Sequence, residues 1–529
     1  MKSDQTVLIL DFGSQYTQLI TRRVRELGYY SVVLSGDSSL EKIQNHHPVA
    51  ILFSGGPASV YESSSPQLDS DFFAYQKEKN IPVLGVCYGL QLMVHHLGGK
   101  VVGADHREYG RMKVIPQGAS ILPSTPFYSW MSHGDETKEI PKGFQVTAKS
   151  ESGALVTIEN LERKCIGLQF HPEVTHTEHG ILILKNFLEN TAGLKPSWKM
   201  TSVRESQVKE IKEQVGPEDH VICALSGGVD STVAATLVHE AIGNRLHCVF
   251  VDHGMLRYEE ANRVMALFEK ELKLPVECID ASETFLNHLK NVEDPEQKRK
   301  IIGEQFIRTF EKFSEKLEKK LGKKIKYLVQ GTLYPDVIES NPAPHAGEDK
   351  KSGHHAVTIK SHHNVGGLPK DFKFKLIEPL RDLFKDEVRL LGKELSVPES
   401  FLERHPFPGP GLAVRIMGEI TADRIKVLQK ADEIFIKSLH EYGLYSKIWQ
   451  AFAVFLPVRS VGVQGDGRTH DHVVALRAVT SHDGMTADWY PFESSFLADV
   501  SNRICNQVNG VGRVVYDVSS KPPATIEWE

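Results

Sequence analysis

Through residue 193, short apolar runs alternate with stretches whose apolar positions recur at helical spacing. The runs Thr6–Leu10, Ser31–Leu34, Val49–Phe53, Pro82–Val86 and Cys165–Phe170 have the length and β-branched content of buried strands. Gln15–Leu27 and Leu90–Leu97 read as helices between them. Such alternation predicts a parallel sheet with helices on both faces. After a short linker, Lys195-Pro196-Ser197-Trp198, the rhythm restarts near residue 203. Its strands are His220–Leu225, Leu246–Asp252, Val276–Asp280 and Tyr327–Gln330, with helices at Thr232–His239 and Asp382–Leu391. Lys298–Lys324 mixes both charges at helical spacing and predicts a solvated helix rather than a nucleic-acid patch.

The pattern changes after His405-Pro406-Phe407-Pro408-Gly409-Pro410-Gly411-Leu412. A long amphipathic helix, Ala422–Glu441, is followed by strand-like runs at Trp449–Pro457, His472–Ala478, Val511–Tyr516 and Thr525–Trp528, and a helix at Glu493–Gln507. The expected fold class is α/β: two doubly wound, mostly parallel domains (1–195 and 196–404) plus a small C-terminal α+β domain (405–529). The sheet of that last domain is expected to be half covered by a partner subunit.

Composition narrows the class without naming a reaction. The chain has 529 residues, 40% hydrophobic and 25% charged, which is the ordinary globular range. A formal net charge of −6 argues against nucleic-acid binding, and no run is long enough to span a membrane. The N-terminus runs straight into a strand, unlike a signal peptide. Six cysteines are scattered with no C-x-x-C pair, so a reducing cytoplasm is expected and a disulfide framework is not.

Candidate chemistry sits at strand ends, where parallel sheets place it. Gly85-Val86-Cys87-Tyr88-Gly89 has the form of a nucleophile elbow with cysteine in the serine position. A lone cysteine is ordinarily a small buried apolar residue; the flanking glycines and the helix that follows set Cys87 apart, because a helix N-terminus favours thiolate. His171-Pro172-Glu173 ends another strand, and strand geometry would turn both side chains one way. His171 is suited to take the thiol proton, with Glu173 orienting the ring. Ser54-Gly55-Gly56-Pro57 ends a third strand; the backbone N–H of Gly56, with that of Tyr88, is a candidate oxyanion hole. The three motifs together resemble a class I glutamine amidotransferase domain over about residues 5–193. That resemblance implies glutamine hydrolysis through a thioester on Cys87, with release of ammonia.

Ser226-Gly227-Gly228-Val229-Asp230-Ser231 follows the apolar run Val221–Leu225 and opens a helix. Glycines let backbone N–H groups close on an anion at a helix N-terminus. No Gly-Lys-Ser/Thr follows, so this is not a Walker A loop. Asp230 instead offers a carboxylate for Mg²⁺ against phosphate oxygens. The pattern resembles the pyrophosphate loop of ATP pyrophosphatases, implying adenylation chemistry. Val249–Gly254 and Gln330–Asp336 end the neighbouring strands and are candidate nucleotide contacts. Residues 341–370 are rich in Gly, Pro and paired histidines. Metal-ligating partners are sparse there, so a lid over phosphates is the better fit.

From the amidotransferase motifs through the pyrophosphate loop to H-P-F-P-G-P-G-L and the final Lys521-Pro522-Pro523-Ala524-Thr525-Ile526-Glu527-Trp528-Glu529, the chain resembles the glutamine-hydrolysing GMP synthetase family along its whole length. The resemblance implies that ATP adenylates the C2 oxygen of xanthosine 5′-monophosphate (XMP) and that ammonia then displaces AMP. Glutamine, XMP and ATP are then the small-molecule partners and Mg²⁺ the cofactor. It assigns Ser226, Gly227, Gly228, Asp230 and Ser231 to phosphate and Mg²⁺, and Val251 and Gly331 to adenosine. Lys385 and Asp386 fall near the phosphates, and Lys360, His362 and His363 in the lid. Gln464, Arg513, Lys521, Ile526 and Glu527 fall to XMP, and a homodimer through the C-terminal domain is implied. Three rivals stand beside it. A glutamine-dependent ligase making NAD from its acid precursor would share the pyrophosphate loop without the tail. A non-catalytic nucleotide sensor would not need Cys87, His171, Glu173 and Asp230 intact. A tRNA-thiolating enzyme would want paired cysteines and a basic face.

Overall fold

The computed structural model describes residues 5–340, 374–464, 467–481 and 486–529. The chain divides between Val203 and Arg204 into two compact units, with a short stretch beginning at Pro335 belonging to the first.

The first unit is built on a nine-stranded sheet. Ser31–Ser35, Thr6–Asp11, Pro48–Phe53, Val83–Val86 and Cys165–Leu168 lie side by side and parallel. Their alternate residues bury on opposite faces: Ile9, Leu52 and Leu84 in one apolar cluster, Leu8, Ile51 and Val83 in the other. The sheet continues antiparallel through Leu155–Asn160, Gln145–Ser150, Lys100–Pro116 and Phe127–Glu139. The apolar pattern predicts none of these four. Phe127–Glu139 alternates buried with exposed residues and then turns polar, as suits a strand with one wet face.

In the second unit a parallel sheet runs in the order Val276–Asp280, Leu246–Asp252, Val221–Leu225, Tyr327–Val329, Lys375–Ile377. The charged helix forms as Pro295–Leu321, started by Asp294 capping the Gln297 N–H at 2.8 Å with proline in the first turn, and stopped by Gly322 at φ +66. It is not solvated throughout: Lys298 is wholly buried. The second predicted helix begins at Lys385 rather than Asp382, because Glu387 reaches back to cap the Phe384 N–H at 2.8 Å.

Helix Ala422–Glu441 packs on a sheet formed by the long hairpin Gln450–Gln464 and Gly467–Thr480, joined by Val511–Tyr516 and Asp488–Trp489. One apolar cluster is continuous from Ile222 and Val249 of the parallel sheet to Phe435, Phe455 and Val474 of this layer. The proline- and glycine-rich stretch at 405–412 therefore runs through a shared core. Thr525–Trp528 is not a strand, since Arg477 takes the carbonyl oxygens of Thr525 and Ile526 that a ladder would need. Among the described residues, no helix is long and apolar enough to cross a membrane.

Asp432 ties the long helix to this layer. Buried, it accepts the Ala453 N–H at 2.9 Å and lies 3.0 Å from the Nε of Arg257. Asp432→Ala is expected to lower the unfolding free energy of the second unit by about 3 kcal/mol or more, because it strands a buried guanidinium. Denaturant titration checks this; a loss under about 1 kcal/mol would mean that solvent already screens the pair.

Candidate active sites

In the first unit, strand Val83–Val86 hands over to helix Tyr88–His96 through one residue, Cys87. Its φ of +52 is the left-handed strain of a nucleophile elbow. A Cβ on Gly85 would stand 2.6 Å from the Gly89 carbonyl oxygen, so the elbow closes only with glycine there. The Cys87 N–H donates to the Leu168 carbonyl at 2.7 Å, and the thiol lies 3.6 Å from the Ser132 carbonyl.

His171 and Glu173 come together as expected, by a different route. The strand stops at Leu168 and both residues sit in the following turn. The turn is fixed by the Thr177 hydroxyl, which donates to the His171 carbonyl at 2.6 Å, and by the His171 N–H, which donates to Trp130 at 3.1 Å. Nδ1 of His171 is 2.7 Å from a buried Glu173 oxygen. Burial works against charging the ring. The Glu173 carboxylate and the Cys87 sulfur outweigh it and hold the His171 pKa well above the ordinary value. A Cβ on Gly55 would meet His171 at 2.9 Å, while one on Gly56 would meet the Phe12 carbonyl at 2.6 Å and the Tyr88 ring at 3.3 Å. The Ser-Gly-Gly-Pro loop thus closes on the nucleophile. Missed by sequence reading were Tyr16, whose ring meets His171 edge-on at 5.1 Å, and Gln91, one helical turn beyond Cys87, which donates to the Asp135 carbonyl at 3.2 Å. Helical spacing from Cys87 would have found Gln91.

In the second unit, strand Val221–Leu225 turns through Gly227 at φ +73 into helix Val229–Ile242. Ser226 and Ser231 hydroxyls lie 3.1 Å apart across the loop, and the Gly228 N–H donates to Ser226 at 3.3 Å. Gly331 packs against the helix start, where a Cβ would be 3.3 Å from both Asp230 and Ser231 backbone atoms. Lys385, first residue of its helix, donates to Oδ2 of Asp230 at 2.9 Å, and Oδ1 of Asp230 is buried with no hydrogen-bond partner. Asp386 follows in the same first turn. Val251 is buried near the end of the adjoining strand, in register beside the loop. Arg404 donates to the Gly227 carbonyl at 3.1 Å and pairs with Glu260.

The tail gathers a third set. Glu527 receives Arg415 through both forks, at 3.0 and 2.8 Å, and Gln450 at 2.6 Å. Phe407 meets two guanidiniums, with Arg257 5.2 Å and Arg415 5.1 Å from its ring centre. Ile526 is buried, Lys521 bridges to Ala487 through the backbone, and Arg513 is exposed on Val511–Tyr516. Arg415, Gln450 and Arg257 were not foreseen; the charge on Arg415, three residues beyond the proline–glycine motif, was the available signal. Lys360, His362, His363 and the side chain of Gln464 lie outside the described residues.

A glutaminase-type elbow in one unit and a pyrophosphate loop in the other define an amidotransferase joined to an ATP-dependent synthetase. Known families match in that order. The glutamine amidotransferase class-I family matches residues 8–191, the NAD synthase family residues 201–333 and the GMP synthase C terminal domain residues 437–528. Two relatives called GMP synthase [glutamine-hydrolyzing] are each 54% identical. The protein from Pelodictyon phaeoclathratiforme aligns over 99% of this chain and all of its own length. The one from Carboxydothermus hydrogenoformans aligns over 99% of both. The chain belongs to the glutamine-hydrolysing GMP synthase family.

Glu173→Gln should lower glutamine hydrolysis by about a hundredfold or more, since it removes the carboxylate that orients His171 and stabilises its charged form. GMP formation from ammonium should be untouched. Parallel rate measurements with the two nitrogen donors check this, and equal losses with both would contradict it.

Proposed function

We propose that this chain converts XMP to GMP through the residues described above. Cys87 attacks the side-chain amide of glutamine and forms a thioester as ammonia leaves. His171 takes the thiol proton and passes it to the departing amine, while Glu173 holds the ring. Backbone N–H groups of Gly56 and Tyr88 receive the oxyanion, and water then releases glutamate. In the second unit the XMP C2 oxygen attacks the α-phosphorus of ATP and pyrophosphate departs. Ammonia adds at C2 and expels AMP, a far better leaving group than the original oxygen.

Ser226, Gly227, Gly228 and Ser231 would cradle the phosphates, with Lys385 and Asp386 beside them and Val251 and Gly331 against adenosine. Asp230 fits Mg²⁺: a buried carboxylate oxygen without a hydrogen-bond partner suits a hard cation. Mg²⁺ commonly takes one or two carboxylates plus substrate phosphates. Bound there, it would neutralise charge on the pyrophosphate leaving group. Lys360, His362 and His363 would cover the phosphates. Arg513, Lys521, Ile526, Glu527 and Gln464 would hold XMP. The functional regions are taken as 1–195, 196–404 and 405–529.

The observation that carries the XMP assignment is the Glu527 carboxylate fixed by Arg415 and Gln450 in the tail of the region matching the GMP synthase C terminal domain. The NAD synthase match covers only the pyrophosphate-loop region and leaves that tail unexplained. Exposed Val458, Val461 and Val463 on the long hairpin support a homodimer through this domain. Six free thiols support a reducing, cytoplasmic setting.

Pyrophosphate release from ATP and Mg²⁺ with ammonium as donor tests the reading. It should require XMP and match GMP formed one to one. Release that ignores XMP would sink the substrate assignment. Asp230→Asn should abolish this release while leaving glutamine hydrolysis at Cys87 measurable. Val461→Asp should shift the mass measured by light scattering from dimer to monomer; an unchanged mass would place the interface elsewhere.

A further inference from the structure

Buried cations converge on the last stretch of the chain. Arg477, wholly buried, donates to the carbonyl oxygens of Thr525 at 3.2 Å and Ile526 at 3.4 Å and lies 3.3 Å from the Asp517 carboxylate. Lys298, equally buried, donates to the Ile416 carbonyl at 2.8 Å and pairs with the Glu529 side chain. Arg415 closes the set on Glu527.

The Arg415 pair is lopsided. The guanidinium is 0% exposed and the carboxylate 20%. Arg415 is sealed against the Phe452 ring, 4.1 Å from its centre, and its Nη1 is buried with no hydrogen-bond partner. A buried pair of this kind adds little to stability compared with apolar residues of the same volume. What it does supply is orientation, because a fork held at two points fixes the plane of the carboxylate. A carboxylate offers about four lone-pair sites. Arg415 Nη2 and Gln450 take Oε1, and Arg415 Nε takes one site on Oε2. One acceptor site on Oε2 remains, at the end of the pair that reaches solvent. Xanthine carries N–H donors that such a site would accept.

We propose that Arg415 is a positioning residue for XMP: it fixes the plane of the Glu527 carboxylate so that the remaining Oε2 lone pair accepts a purine N–H. This rests on the reading of the tail as the XMP site. Gln450 supports the same carboxylate from its other oxygen. Arg415 itself does not touch the substrate.

The test is steady-state kinetics of the full-length enzyme, with ammonium as donor and XMP and ATP varied in turn. Arg415→Lys keeps the charge and loses the fork; it should raise the KM for XMP by about three- to tenfold. Arg415→Met should raise it by more than about tenfold, with kcat at saturating XMP and the KM for ATP changed by less than about twofold. Combining Arg415→Met with Glu527→Gln should add little to the single change, because both remove one arrangement. Thermal melting identifies any variant that fails to fold; if Arg415→Met does not fold, the lysine variant decides. An unchanged KM for XMP in folded variants overturns the proposal, as do equal rises for XMP and ATP or losses that multiply in the double variant. If Glu527→Gln alone leaves the KM for XMP unchanged, the tail reading falls and the proposal with it. If Glu527→Gln is effective and the Arg415 variants are silent, only the proposal falls.

Discussion

In a parallel sheet the last residue of every strand lies on the same edge, and each chain must leave that edge by a sharp turn. Both chemical centres rest on this constraint. Cys87 leaves Val83–Val86 at φ +52, and Gly227 follows Val221–Leu225 at φ +73. Each turn is followed immediately by a helix, so backbone N–H groups and the helix dipole face the place where charge develops. Neighbouring strands bring the partners. Cys165–Leu168 pairs directly with Val83–Val86 and delivers His171 and Glu173, while Tyr327–Val329 pairs with Val221–Leu225 and delivers Gly331 to the pyrophosphate loop. The meeting of Cys87 with His171, and of Gly331 with the Ser226–Ser231 loop, follows from which strands are neighbours.

What could be read from the sequence follows from how local each signal is. The central parallel strands are short, mostly apolar runs, and glycines stand at or just before the turns that end them, as the 2.6 Å approach at Gly85 illustrates. Strand and turn therefore announce the elbow and the loop together. The antiparallel half of the first sheet was silent because Lys100–Pro116 and Phe127–Glu139 interleave polar residues with apolar ones. The pairing of His171 with Glu173 was foreseen, but for a strand rather than the turn that Thr177 closes. Arg415 meets Glu527 across 112 positions and Lys298 meets Glu529 across 231. No periodicity carries such a contact, and each cation looked like ordinary surface charge until the core closed over it.

The pyrophosphate loop alone does not separate one adenylating ligase from another, and its region matches the NAD synthase family as sequence reasoning had allowed. The match to the GMP synthase C terminal domain falls on the C-terminal layer, residues 437–528. There the core runs unbroken from the parallel sheet into the second layer, so the glycine-rich loop and the tail are built on one packed mass. Sharing one core gives the nucleotide loop and the tail a fixed mutual geometry. In-line transfer between two bound nucleotides demands that.

Phe407 packs against both Arg257 and Arg415, with each guanidinium about 5 Å from its ring centre. Arg257 belongs to Asp432 and Arg415 to Glu527, and the two pairs are chemically alike. The ring is a shared pad: it offers both cations an attractive face, and Arg257 feels the Glu527 charge as well as that of Asp432. One aromatic side chain is thus the hinge pin common to both: it packs against the arginine that braces the long helix and against the arginine that holds the tail.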